Sequence, residues 1–373
     1  MTLLLPRLTL AQAPLTCDIN AVNEFGEQIA VSIPAERALT VYVDKRELVT
    51  LMTLGAHPEW LVLGYLRNQR LVRSVSDVES ITVDWDVGAA AVKTRHGIED
   101  IEEKTAKRVV TTGCGQGSVF GGLMDEVDFI KLPADVTLTQ SQLYSLVNTI
   151  RVKETTYKSA GSVHACALFD AASPEPEMLL FAEDVGRHNA IDTIAGWMWM
   201  NMAPTRATSC ASLPPEGAVP PKGGLSAGLM APTLVAPRTA LPPEGAAAPA
   251  VWQSQSRGSG LEGGDATTLV ASLASPAAPQ ALVFYTTGRL TSEMVIKSAQ
   301  MGIAVVISRS GITQMGHSVA QKLGLCTIGR ALNKRFLCFS AAHRLKLAAD
   351  GPGTSAGTHT PKNSEEFQTV KNI

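Results

Sequence analysis

The chain has 373 residues, 45% of them hydrophobic, which is enough for two domains and a substantial core and places it among globular proteins. Its 32 Lys and Arg nearly cancel its 34 Asp and Glu, so there is no bulk field to draw it to nucleic acid or an anionic membrane, and any anion site must be local. The six cysteines, at 17, 114, 166, 210, 326 and 338, show no C-x-x-C and no secreted-domain spacing, which argues for reduced thiols and against a disulfide framework or a structural zinc site.

The opening MTLLLPRLTLAQA lacks a basic n-region and is interrupted by Pro6 and Arg7. No later segment offers a long enough apolar run for a spanning helix, so the expectation is a cytoplasmic protein. Thr40 to Val43, Val78 to Val83 and Ala89 to Lys93 read as strands, with a helical pattern around Trp60 to Gly64. Then TTGCGQGSVFGG, residues 111–122, sets Cys114 among five glycines. Those glycines allow positive φ and close approach of backbone N–H groups to sulfur. Locally, a reactive thiolate and a small buried hydrophobe in a glycine turn are both open readings.

Thr139 with Gln142 fits a capping box, and Leu143, Leu146, Val147 and Ile150 recur at helical spacing behind it. VHACALFD (163–170) and MLLFA (178–182) follow as a strand pair, and HNAIDTIAGWMWMNM as a helix with an Ile191, Ile194, Met198 stripe. Residues 204–279 hold 12 of the 21 prolines and two copies of LPPEGA. That composition buries too little apolar surface to offset the entropy of ordering, so it predicts a disordered insertion, with Cys210 incidental. Beyond it come a strand at 281–285, a helix from Thr291 to Met301, a strand at 303–308 and a helix from Thr313 to Leu323. Gly324 is placed as the C′ residue of that last helix, and strands at 325–328 and 336–340 close the series. The alternation predicts an α/β domain with a largely parallel sheet, interrupted by the insertion.

Polar, glycine-containing turns gather at strand ends: EDVGRHNAID (183–192), TTGRLTSE (286–293), SRSGIT (308–313) and GRALNKR (329–335). Ligands of α/β sheets bind outside the carboxyl ends of strands. Arg187, Arg289, Arg309, Arg330 and Arg335 are therefore expected around one phosphate-rich ligand. Taken singly, each turn reads as a solvated loop with helix caps; five arginines in equivalent positions shift the balance. Asp184 could pair with Arg187, His188 could act as acid, base or brace, and His164 reads as a core histidine. No phosphate-loop or dinucleotide fingerprint occurs.

Together TTGCGQG, GSVHACALFD, AEDVGRHNAIDTIAG, TTGRLTSEMVIKSAQMGIAVVISRSGIT and LGLCTIGRALNKRF resemble the FdhD/NarQ family of sulfurtransferases required for formate dehydrogenase activity. The resemblance implies a homodimer with a cysteine desulfurase and formate dehydrogenase as partners. It implies an N-terminal extension (1–34), a small β-rich domain with the Cys114 loop (35–135), and an α/β domain similar to the cytidine deaminase fold (136–203 and 280–347). The insertion at 204–279 and a disordered tail at 348–373 complete the layout. Cys114 falls on the family's persulfide cysteine. Arg330, Ala331, Leu332, Asn333, Lys334 and Arg335 fall on the segment that binds the molybdenum bis(molybdopterin guanine dinucleotide) cofactor, the acceptor of the sulfur. Two departures stand out. Gly117 replaces the second cysteine of the family's C-x-x-C, and HAC stands where a zinc deaminase needs H-x-E, so no metal is expected. The alternative reading is a non-catalytic chaperone that inserts the cofactor into formate dehydrogenase.

Overall fold

A computed structural model describes residues 4–98, 101, 109–110, 117–118, 127–153, 155–202 and 281–348. Cys114, Cys210, the 204–279 insertion and all of the 348–373 tail except Ala348 lie outside the described residues. Among the described residues no helix is long and apolar enough to cross a membrane.

The N-terminal part is built on strands β1 (Arg7–Leu8), β4 (Arg37–Val43), β5 (Arg46–Thr53), β6 (Val78–Asp84) and β7 (Ala89–Thr94), ordered β1-β6-β7-β4-β5. β2 (Thr16–Val22) and β3 (Gln28–Pro34) form a separate antiparallel hairpin. Residues 1–34, read from the sequence as an extension, thus supply both this hairpin and the edge strand of the sheet. Alternate β4 residues, Leu39, Val41 and Val43, are buried, the period-2 pattern of a strand with one covered face. Asp44 and Lys45 turn β4 into β5 with positive φ of 48° and 73°, the left-handed pair that matches strand twist in a two-residue hairpin. Helix α1 (Pro58–Asn68), longer than the pattern around Trp60 suggested, covers the buried face, with Pro58 in its first turn where no N–H partner is needed. Two short strands, β8 (Val109–Val110) and β9 (Gly117–Ser118), pair antiparallel.

The second part is a six-stranded sheet of β11 (His164–Asp170), β12 (Glu177–Asp184), β13 (Leu282–Thr286), β14 (Val305–Ser308), β15 (Cys326–Leu332) and β16 (Arg335–Ser340), ordered β12-β11-β13-β14-β15-β16. The short strands β10 (Leu138–Thr139) and β17 (Leu345–Lys346) pair beside it. Helix α2 (Gln140–Lys153) packs on one face; α4 (Arg187–Asn201), α5 (Ser292–Gln300) and α6 (Gln314–Leu323) pack on the other. The short α3 (Thr156–Ala160) follows α2. With both faces covered, neighbouring residues go to opposite cores: Phe284 toward α4 and α5, Val283 and Tyr285 toward α2. That is why these strands read as unbroken apolar runs.

The architecture is α/β as expected, but the sheet is mixed rather than largely parallel. Only β13–β14 and β14–β15 are parallel pairs, joined by crossovers through α5 and α6. β11–β12 and β15–β16 are hairpins, and β11–β13 is antiparallel across the insertion.

Candidate functional site at the carboxyl ends of the strands

The sheet register gathers the polar turns. His164 lies opposite Asp184, Cys166 opposite Thr286, and Thr286 opposite Ser308. The ends of β12, β13 and β14 therefore lie at one end of the sheet with Arg187, Arg289 and Arg309 just beyond them, and Arg330 lies at that end within β15. The turns are bonded to one another: Arg309 N–H donates to Thr286 O at 2.9 Å, Arg330 N–H to Ser310 O at 2.5 Å, and Ser308 Oγ to Gly288 O at 2.7 Å. Arg187 is buried, and its Nε lacks a hydrogen-bond partner among the described residues. It lies against Gly288, where a Cβ would come within 2.9 Å of Arg187 Cδ. The glycine leaves room for the guanidinium stem. Arg289 and Arg330 are exposed, and Arg309 lies 5.8 Å from the Tyr157 ring centroid.

Arg335 does not follow a carboxyl end. β15 runs to Leu332 through a bulge in which Arg330 takes φ of 53°, so only Asn333 and Lys334 form the hairpin tip. Asn333 has φ of 54°, a conformation its short polar side chain tolerates. Arg335 starts the returning strand. Within the expected segment Arg330, Leu332, Asn333, Lys334 and Arg335 are exposed, whereas Ala331 is 1% exposed and faces the α2 core. The tip is braced by Tyr144, whose hydroxyl donates to Lys334 O at 3.2 Å.

Asp184 holds its turn without Arg187. It accepts from Thr53, Asn189, Gly186 N–H and Leu54 N–H. Burial pushes its carboxyl up to about 6 against the pull of those donors. His188 is 5% exposed, and burial drives its imidazole down to about 4 despite Glu293 at 3.6 Å. It is a neutral ring at pH 7 rather than a ready acid. His164 is half-buried at the rim, not in the core; burial lowers it first, then Arg187 and Arg289. Cys166 is fully buried, and burial pushes its thiol up to about 12, leaving it inert.

The model described as the FdhD/NarQ family matches residues 34–211 and 271–346. The chain belongs to that family. The sulfur carrier protein FdhD of Listeria innocua is 24% identical over 321 residues, 86% of this chain and 93% of that protein. The protein of the same name from Bacillus subtilis is 23% identical, over 83% of this chain and 89% of its own. A crystal structure from Desulfotalea psychrophila, described as a formate dehydrogenase accessory protein, superposes with a TM-score of 0.56 at 18% identity, over 89% of this chain and all of the other. That likeness concerns the fold.

Beneath the site of this FdhD/NarQ chain lies a buried polar network that the sequence did not disclose. Lys297 Nζ is 2.9 Å from Asp192 Oδ2 and 3.5 Å from Glu293, and Asn68 donates to Asp192 Oδ1 at 2.7 Å. Burial works to lower the Lys297 ammonium, but Asp192 and Glu293 outweigh it and hold it above its ordinary value. Glu293 and Lys297 stand four apart on α5, a spacing that on sequence reads as a solvated ion pair.

Proposed function

We propose that this chain is a sulfur carrier serving formate dehydrogenase, acting as a cytoplasmic homodimer. The observation that carries this reading is the match, over 86% of the chain, to a protein named sulfur carrier protein FdhD. In the proposed transfer the Cys114 thiolate attacks the outer sulfur of a desulfurase persulfide. The desulfurase thiolate leaves, and Cys114 keeps the sulfur as Cys114–S–SH. The acceptor is the molybdenum bis(molybdopterin guanine dinucleotide) cofactor, a substrate whose phosphates suit the arginines at the carboxyl ends of the sheet. Arg grips phosphate in bidentate fashion, Asn333 offers a base or sugar both a donor and an acceptor, and Lys334 adds charge.

Incubation with a cysteine desulfurase and labelled cysteine, followed by intact mass analysis, tests the reading. Label on Cys114, lost in Cys114→Ser, is the expected result. Absence of label in the wild-type chain refutes the carrier and leaves a cofactor chaperone. Calorimetry with GDP, standing in for half of the cofactor, tests the recognition segment. An Arg330→Ala/Arg335→Ala variant is expected to bind roughly ten- to a hundredfold more weakly, since each charge-assisted contact contributes about 1.5 to 3 kcal/mol. Equal affinities would move recognition to the turns of Arg187 and Arg309.

A further inference from the structure

In the six-stranded sheet, two thiols face each other where β15 and β16 pair. The Sγ atoms of Cys326 and Cys338 lie 3.9 Å apart, on antiparallel strands whose register shifts between Thr327 and Ile328 and places Cys338 opposite Ile328. The two are unequal. Cys326 is fully buried. Cys338 is half-buried and lines a surface pocket of about 450 Å³, with Gln321, Gly324, Ser340 and His343 among the other walls. A reagent in that pocket meets Cys338 first and finds Cys326 behind it. The chemistry follows the same order. The contact between the two sulfurs lowers the Cys338 thiol, while that contact and then burial raise Cys326; Cys338 Sγ also donates to Ser340 O at 3.5 Å. Of the two, Cys338 is both the thiol a reagent reaches and the one more readily converted to the thiolate, the nucleophilic form.

We propose that Cys338 and Cys326 form a second sulfur-handling site, in which Cys338 takes sulfane sulfur from a small persulfide in the pocket and Cys326 releases it as hydrogen sulfide. The Cys338 thiolate attacks the outer sulfur of R–S–SH; the S–S bond of the donor breaks, R–S⁻ leaves, and Cys338–S–SH forms. Cys326 then attacks Cys338 Sγ and gives up its proton to the departing sulfur, which leaves as hydrogen sulfide as the Cys326–Cys338 disulfide forms. The dithiol loses two electrons and the sulfane sulfur gains them as sulfide. An external dithiol restores the pair by thiol–disulfide exchange. The inference rests on the sulfur-carrier reading for its donor.

The full chain is held without oxygen, treated with glutathione persulfide, alkylated and peptide-mapped by mass spectrometry. The wild type is expected to accumulate the 326–338 disulfide only when donor is added. Cys326→Ser is expected to stop with one extra sulfur on Cys338, and Cys338→Ser to leave Cys326 unmodified. Because either variant could disturb the hairpin, iodoacetamide kinetics on the unaltered chain give a second reading: Cys338 is expected to alkylate more than about tenfold faster than Cys326. A disulfide formed equally without donor, or equal alkylation of the two thiols, overturns the proposal. The carrier reading fails separately. If a desulfurase leaves Cys114 unlabelled while the small donor still closes the disulfide, the dithiol stands and the carrier falls; if Cys114 loads while both strand thiols stay unmodified, the reverse holds.

Discussion

Lys297 keeps its charge where it is 1% exposed because two carboxylates, Asp192 at 2.9 Å and Glu293 at 3.5 Å, replace its water. Removing one member of such a group leaves the others charged and desolvated, at a cost of about 3 to 5 kcal/mol. Lys297→Met, close in volume, is therefore expected to lower stability by that amount in urea denaturation; a change under about 1 kcal/mol would mean that the carboxylates find other partners. His188, near by, gives stability a pH dependence. Its value falls from 6.5 to about 4 on folding, so between those limits the unfolded chain binds a proton that the native chain refuses. The associated stability is fully present above pH 6.5 and is lost as pH falls toward 4, with a total of about 3 kcal/mol for a shift of this size. The urea midpoint should fall less between neutral pH and about pH 4 in His188→Gln than in the wild type. Equal pH slopes in the two chains would assign the effect to other groups. EDVGRHNAID marks His188 as unusual in the sequence, but its neutrality depends on burial against α5, more than a hundred residues along the chain. Asp192 gives no such signal, because its partner Lys297 and its donor Asn68 come from two other helices.

Helices α1 and α4 meet through glycines. A Cβ on Gly64 would lie 1.7 Å from Asp192 O, and one on Gly196 would lie 1.9 Å from Trp60 O. The obstructing atoms are backbone, so no side-chain rotation relieves the clash. Gly64→Ala is expected to force the helices apart and cost at least the upper end of the usual 1 to 3 kcal/mol for overpacking, roughly 3 kcal/mol. Gly311→Ala, where nothing lies within 4 Å, should change stability by no more than about 0.5 kcal/mol. Similar urea midpoints for the two variants would show that α1 can shift freely on α4. Close helix approach also sets Asn68 at Asp192 and lets Arg67 Nη1 donate to Ala195 O at 2.9 Å. Elements defined by neighbours in sequence were the legible ones. Gln142 N–H donates to Thr139 Oγ1 at 3.2 Å while Gln142 Oε1 accepts from Thr139 N–H at 2.9 Å, the expected capping box. Gly324 ends α6 with φ of 64°. Gly64 and Gly196 carry the same residue type for a reason that only the meeting of two distant helices reveals.

At the scale of the molecule, strand–helix alternation reveals the α/β class but not strand direction, since a hairpin and a crossover can follow equally apolar runs. β15 and β16 show this: the bulge at Arg330 prolongs β15 into the segment that reads as loop, and the strand doubles back after Asn333 and Lys334. The convergence of Arg187, Arg289 and Arg309 was legible because each follows a strand that leads into a helix, whereas Arg330 reaches the same end from within β15. Cys114 lies outside the described residues, and its proposed role rests on its glycine-rich setting and the resemblance to the family. The sheet also closes across the Pro-rich insertion. β13 pairs with β11 from Asp170↔Leu282 to Cys166↔Thr286, and Ala171 N–H donates to Ala281 O at 2.9 Å, so chain beyond the insertion is anchored from its first described residue to chain before it. Replacing residues 206–276 by a short Gly/Ser linker should preserve these pairings, and the shorter loop lowers the closure entropy by about 0.6 kcal/mol per halving of its length. The variant is expected to melt cooperatively at or slightly above the wild-type temperature and to load Cys114 to the same extent. A fall in Tm of more than about 5 °C, several kcal/mol for a chain of this size, would show instead that the insertion contributes packing that its composition conceals.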